Sequence, residues 1–262
     1  MFRLSYEFCL FLFYFYDMFM LIPRAHDAVH RAQMLRLLSA IADDRILMSM
    51  MFFKGGTCAT MRDLLDRFSV DLDFDLRSMD DISIARKHLE KIFAKLDLTI
   101  KDQSKIIPQY FLRYESAEGG RNTIALDITM PPPKSNEYEV IRFADIDRFL
   151  PCQTVSTMVA NKLVTPIDRF TKHGAIAGRD FYDIHHFLLQ GYSWNAAVIE
   201  ERTGMPEKQF FRTLHDFIEK RVTQTIIDQD INSLLLPKQF QTIRKILKVE
   251  TLFLLRQEYL KN

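Results

Sequence analysis

Apolar side chains recur along this chain at two spacings, and the points where the spacing changes mark the expected elements. In residues 25–42, Val29, Leu35, Leu38 and Ile41 repeat at helical intervals among Arg, His and Gln, which predicts an amphipathic helix closed by Asp43-Asp44. Residues 46–53 (ILMSMMFF) form a short apolar run ending near Gly55-Gly56, the length of a buried strand. Helical spacing returns over residues 57–68 through Ala59, Leu64, Leu65 and Phe68. Residues 69–76 then alternate strictly: Val70, Leu72, Phe74 and Leu76 face a core, while Ser69, Asp71, Asp73 and Asp75 share the other face of a strand. A helix over residues 81–96 follows. Two extended runs, residues 107–115 and 121–130, flank Gly119-Gly120 as in a hairpin, and Pro131-Pro132-Pro133 stops the second. After a strand at residues 139–143, nearly everything reads as helix: 154–170, 180–190, 194–203, 206–223 and 239–260. The expected fold class is α+β, with a mixed domain over residues 24–150 and a helical domain over 151–262.

Composition narrows the function classes. With 48% hydrophobic and 26% charged residues in 262, the chain has the balance of a folded protein rather than a disordered one. Its 35 basic and 34 acidic side chains leave a net charge of +1, so any contact with nucleic acid rests on a local patch and not on a global basic field. Cys9, Cys58 and Cys152 have neither CxxC nor His spacing, which argues against a disulfide framework and against zinc, and fits a reducing cytoplasm. The stretch from Phe8 to Ile22 is apolar apart from Asp17. It is shorter than the roughly 20 residues of a membrane span and carries a carboxylate in its middle. Arg3 is soon followed by Glu7 and no Ala-x-Ala pattern appears, so a signal peptide does not fit either. Residues 1–23 are set apart as an apolar segment on which no function is built, since Met18 and Met20 offer later starts.

Two features carry candidate chemistry. Gly55 and Gly56 let the backbone approach a ligand closely, and Thr57 begins a helix whose free N–H groups attract phosphate; a plain strand–helix turn is the competing reading. Asp71 and Asp73 point the same way from neighbouring pleats, about 7 Å apart, a spacing suited to a Mg²⁺ ion that takes one or two carboxylates plus substrate phosphates. Exposed carboxylates on a solvated strand face are the alternative. Asp127, on the outward side of an alternating strand, becomes a third ligand if that strand lies beside the first, and three crowded carboxylates imply a neutralising cation. Asp75 is placed outside that metal shell. Lys162 and Arg169, seven residues apart, share one helical face and make either a local cationic stripe or an ordinary solvated face. His185-His186 point about 100° apart with no ligand partner and are read as structural or as a minor substrate contact, and Trp194 and Phe210-Phe211 as core.

FKGGT at 53–57, RFSVDLDFDL at 67–76, LDITM at 126–130, ANKLVTPIDRF at 160–170 and GRDFYDIHHFLL at 178–189 together resemble, in order, the nucleotidyltransferase toxins of the AbiEii/AbiGii family. The resemblance implies a polymerase-β-like nucleotidyltransferase fold with a helical C-terminal domain. It implies Mg²⁺-dependent (or Mn²⁺-dependent) transfer of a nucleotide from an NTP, with an RNA acceptor such as a tRNA 3′ end, and a toxin or phage-defence role beside a cognate antitoxin encoded nearby. Position by position, it makes Asp71, Asp73 and Asp127 the metal ligands. Lys54, Gly55, Gly56, Thr57 and Ser69 would cradle the triphosphate, Lys162 and Arg179 would contact it, and Asp180 and Asp183 would position the nucleotide or Lys162. Three positions depart from the pattern: Asn161 where many relatives have Glu, Ala125 where a lysine is frequent, and Pro166, expected to interrupt the helix that presents Lys162. They bear on substrate choice and leave the metal ligands intact. Transfer to a small molecule or to a protein, and nucleotide binding without turnover, stand as the other readings.

Overall fold

The computed structural model describes residues 24, 27–116 and 120–260, so the apolar segment at residues 1–23 lies outside the described residues. A seven-stranded mixed sheet occupies the first part, in the order β3-β4-β5-β2-β1-β7-β6. Its strands are β1 (Met51–Lys54), β2 (Asp71–Leu76), β3 (Thr99–Gln103), β4 (Tyr110–Arg113), β5 (Thr123–Thr129), β6 (Tyr138–Phe143) and β7 (Arg148–Gln153). Helices α1 (Asp27–Ala42), α2 (Arg45–Met48), α3 (Gly55–Met61) and α4 (Ile82–Lys95) flank it. Six helices follow: α5 (Val155–His173), α6 (Gly178–Leu189), α7 (Ala196–Thr203), α8 (Glu207–Arg221), α9 (Gln224–Ile231) and α10 (Pro237–Leu260). The architecture is the α+β arrangement expected, although a division at 150/151 falls inside β7. No helix among the described residues is long and apolar enough to cross a membrane.

The alternation in β2 sets the sheet's two faces. Leu72, Phe74 and Leu76 are fully buried on one side, together with Leu126 and Ile128 of β5. β2 and β5 run parallel, with Asp73 paired to Asp127 and Phe74 to Ile128, so the acidic positions of both strands share the opposite face. β4 and β5 form the antiparallel pair expected around Gly119-Gly120, with Tyr110 opposite Leu126.

Several local expectations need correction, and each has a visible cause. Of the 46–53 run only residues 51–53 are strand, within β1 (Met51–Lys54). Asp44 accepts hydrogen bonds from the N–H groups of Ile46 and Leu47 at 2.9 and 3.1 Å and so caps a single helical turn first. The helix expected over 57–68 stops at Met61, where Asp63 takes a positive φ of 56° and the Leu64 N–H turns back to the Ala59 carbonyl. Leu64, Leu65 and Phe68 are buried from a loop, because burial and not helical geometry produced their spacing. Strand β3 (TIKDQ) lies largely exposed at the sheet edge and shows no alternation to read. Strand β7 contains Pro151, which masked it; only Phe53 and Cys152 are paired between β1 and β7, so the missing N–H is tolerated. On α1 the buried face is His30, Met34, Leu37, Leu38 and Ile41, whereas Val29 is exposed. Helix α5 is not interrupted at Pro166 but runs on to Gly174, since a proline removes one hydrogen bond from a 19-residue helix packed against α6 and α7.

The helices close over one end of the sheet. The Phe68 N–H donates to the Leu234 carbonyl at 2.9 Å, and the Tyr182 hydroxyl to Asp66 at 2.7 Å, so the 62–70 loop is fixed by the helical part.

Candidate active site

Between sheet and helices lies a cleft of about 790 Å³, lined on the sheet side by Lys54, Gly55, Gly56, Ser69, Asp71, Asp73 and Asp127. On the helical side it is lined by Lys162, Arg169, Arg179 and Asp180, with the 131–136 loop along one edge. Residues far apart in sequence, on β2, β5, α5 and α6, thus meet in one cavity.

Gly55 has to be glycine on two counts. Its φ is +79°, and a Cβ there would lie 2.0 Å from the Asp73 Oδ2. At Gly56 a Cβ would lie 2.8 Å from the Ser69 Oγ and 2.9 Å from the Arg67 guanidinium. The turn is therefore packed against the metal-candidate carboxylate on one side and a buried cation on the other. Gly55→Ala is expected to cost about 1–2 kcal/mol in backbone strain and, by displacing Asp73, to lower nucleotidyl transfer at least about a hundredfold. Gly174, also at positive φ (+64°) but facing open space, supplies the control: Gly174→Ala should melt earlier by a similar amount and keep its transfer rate. Equal activity losses in both variants would show that strain, not the Asp73 contact, is responsible.

Burial pushes the Asp73 carboxyl up to about 6, Asp71 and Asp127 add to the rise, and Lys54 and Lys162 oppose it. Burial also raises Asp71, with Arg179 opposing and Asp127 adding. The Asp127 Oδ1 accepts a hydrogen bond from the Gln109 side-chain amide at 2.5 Å. Hard oxygen donors from paired positions of neighbouring strands, Asp127 adding to the rise of Asp73, fit a divalent cation. The set is open: among the described residues, the one group of three donors within 4.8 Å of one another is His215, Asp216 and Glu219 on α8, outside the cleft lining.

Asp75, the next acidic position of β2, is fully buried and holds the Lys54 ammonium at 2.7 Å. It also accepts from Gln153 at 2.7 Å, Tyr138 at 3.0 Å and Asn136 at 3.1 Å. Lys54 therefore lines the cleft with its charge already matched by Asp75. Thr57 is buried and its hydroxyl donates to the Asp71 carbonyl, which ties α3 to β2 and leaves only its backbone for a ligand. Ser69 reaches the cleft beside Gly56.

The cations of the helical side are held by the acids of α6. Lys162 pairs with Asp183 at 2.7 Å and Arg169 with Asp180 at 2.9 Å. Asp183 is wholly buried and also accepts a bidentate pair from Arg67, at 2.5 and 2.8 Å. Burial by itself would push Asp183 up; Arg67 and Lys162 together outweigh it and hold the carboxyl far below the usual range. Arg179 makes no salt bridge within 4.0 Å among the described residues and exerts its charge on Asp71. The Lys162–Arg169 stripe is thus matched by two acids, not solvated. His185 pairs with Glu250 at 2.8 Å and His186 with Asp66 at 3.1 Å, in keeping with structural roles. Phe210 and Phe211 are buried, and Trp194 packs on Phe211.

Sequence reading missed Arg67, Gln109 and Asn136. Arg67 stood inside the RFSVDLDFDL motif but fell within an expected helix, and only the loop places it under Gly56. Gln109 fell within the extended run expected over 107–115 but stands just ahead of β4 (Tyr110–Arg113), and Asn136 lies in a connection with no periodicity to mark it.

A glycine turn packed against Asp73, which stands in register with Asp127 of the neighbouring strand and faces a basic helical wall, is chemically able to hold a polyphosphate and a cation together, and the fold and site are of the nucleotidyltransferase class. The family model described as "Nucleotidyl transferase AbiEii toxin, Type IV TA system" matches residues 36–246, and the chain belongs to that family. Solved structures share its fold at low sequence identity. A putative nucleotidyltransferase from H. pylori superposes with a TM-score of 0.59 at 19% identity, over 90% of this chain and 96% of its own. JHP933 from Helicobacter pylori gives 0.57 at 20%, over 91% and 94%. MenT4, a nucleotidyltransferase toxin from Mycobacterium tuberculosis, gives 0.53 at 17%, over 88% and 85%. Comparison with curated protein sequences gives no match.

Proposed function

We propose that this nucleotidyltransferase moves a nucleotide from an NTP to a hydroxyl of RNA, with a tRNA 3′ end as the acceptor, in a Mg²⁺-dependent reaction that Mn²⁺ can also support, and that a cognate antitoxin restrains it. The observation that carries the reading is the in-register pairing of Asp73 with Asp127 beside the Gly55-Gly56 turn, in one cleft with Lys162 and Arg179.

Asp71, Asp73 and Asp127 would hold the metal, which when bound neutralises phosphate charge and lowers the pKa of a coordinated hydroxyl. The backbone at Gly55-Gly56 admits the triphosphate closely and the first N–H groups of α3 face it. Ser69 adds a hydroxyl at the same edge. Arg179 and Lys162 supply positive charge across the cleft, where the departing pyrophosphate gathers negative charge. Asp180 and Asp183 hold Arg169 and Lys162 in place. One Asp127 oxygen is occupied by Gln109, which leaves the other for the metal. The sheet and its flanking helices, through the end of β7, would act as the transferase part, and the helices from α5 onward as the part that closes the site.

Incubation with each α-labelled NTP, Mg²⁺ and total RNA tests the reading. Label is expected in the tRNA fraction for one or a few nucleotides, and abolished in the Asp71→Ala, Asp73→Ala double variant. Label in protein or in a small molecule instead would replace the acceptor assignment. No label and no pyrophosphate release from a folded sample would sink the catalytic one.

A further inference from the structure

Arg67 is the one buried cation at the cleft that the reaction above does not use. It is 3% exposed and reaches the cleft wall under Gly56. Of its five N–H groups, two bind the Asp183 carboxylate and one the Phe68 carbonyl at 2.9 Å. Lys162 reaches the same carboxylate from α5. A single negative charge is thus shared by two cations that come from the 62–70 loop and from α5, with net charge +1. If Asp183 and Lys162 stood alone, they would form a closed neutral pair, and the ammonium would add little field to the cleft. With the guanidinium fork occupying both carboxylate oxygens, Asp183 is only partly available to Lys162.

We propose that Arg67 is a positioning residue for nucleotidyl transfer: by taking the larger share of Asp183 it keeps the Lys162 charge effective toward the triphosphate. The chemical part rests on the transferase reading above; the electrostatic part does not. Gly56 fits the same design, since a side chain there would meet the guanidinium.

A double-mutant cycle tests it. Arg67→Met leaves Asp183 paired with Lys162, so the chain should fold, which circular dichroism checks. Its transfer rate should fall by about ten- to a hundredfold, mainly in KM for the NTP, and Arg67→Lys should recover part of the loss. Because Arg67 acts through Lys162, the Arg67→Met, Lys162→Met double variant should be no worse than Lys162→Met alone. Losses that multiply would overturn the proposal. The second readout needs no activity: acylation of the Lys162 amine by acetic anhydride, followed by mass spectrometry. Removing a neighbouring positive charge should slow it by roughly tenfold in Arg67→Met, and an unchanged rate would overturn the coupling. If wild-type protein transfers nothing while the acylation rate responds as expected, the transferase reading fails and the Arg67–Lys162 coupling stands.

Discussion

Asp73→Asn should lose at least about a thousandfold in transfer rate and yet, without divalent cations, melt at a higher temperature than the parent. The activity loss is expected because the function proposed above makes Asp73 a metal ligand, and the charge stabilisation that such a metal supplies amounts to several kcal/mol at about 1.4 kcal/mol per tenfold. The stability gain follows from the burial of Asp73, to which the charges of Asp71 and Asp127 add. Burial and like charges raise the Asp73 carboxyl from 3.8 to about 6, so above that pH its charge is held against the folded state. Two pH units correspond to about 3 kcal/mol as an upper bound. The penalty grows as pH rises from about 4 to about 6 and is constant beyond, so the gain should be full at pH 7–8 and absent near pH 4. Added Mg²⁺ should raise the melting temperature of the wild type more than that of the variant. Equal Mg²⁺ stabilisation of both, or transfer within tenfold of wild type, would remove Asp73 from the metal site.

Asp183→Ala should behave in the opposite way, as the most destabilising change in the cleft. It strands Arg67 and Lys162 in a buried place with no counter-charge, and breaking a buried pair by removing one partner costs about 3–5 kcal/mol. At about 2–4 °C per kcal/mol for a chain of this size, the melting temperature should fall by roughly 6–20 °C. The Asp183 carboxyl is depressed, so its contribution is present above the unfolded value and lost only as pH falls through the folded one. The gap between wild type and variant should therefore stay constant from pH 8 to about 5 and narrow only in strong acid. A gap that narrows already near pH 6 would contradict this pairing. Asp180→Ala should cost less, because its partner Arg169 is about one-third exposed and can turn to water.

These two aspartates show what made parts of the site legible. Asp71 and Asp73 stand in a strictly alternating octet, and alternation reports a strand with one face buried, so their shared orientation could be read without coordinates. Gly55-Gly56 before a helical run was likewise readable as a close-approach turn. Arg67 was not, since Leu64, Leu65 and Phe68 imitate a helical period while being buried from a loop. Lys54 looked like a free phosphate ligand in its motif, and only the fold reveals Asp75 beneath it.

The sequence by itself determined the local layout: the order of strands and helices around the glycine turn, the acidic face of β2, the outward position of Asp127, and through the ordered motifs the nucleotidyltransferase family. Tertiary structure alone decided which of these side chains meet. Parallel pairing of β2 with β5 sets Asp127 beside Asp73, and docking of α6 brings Asp183 between Arg67 and Lys162 across 116 residues. The physical reason is that periodicity records which face of an element is buried, whereas pairing register and helix docking are fixed by core packing between distant segments, which leaves no local period to read.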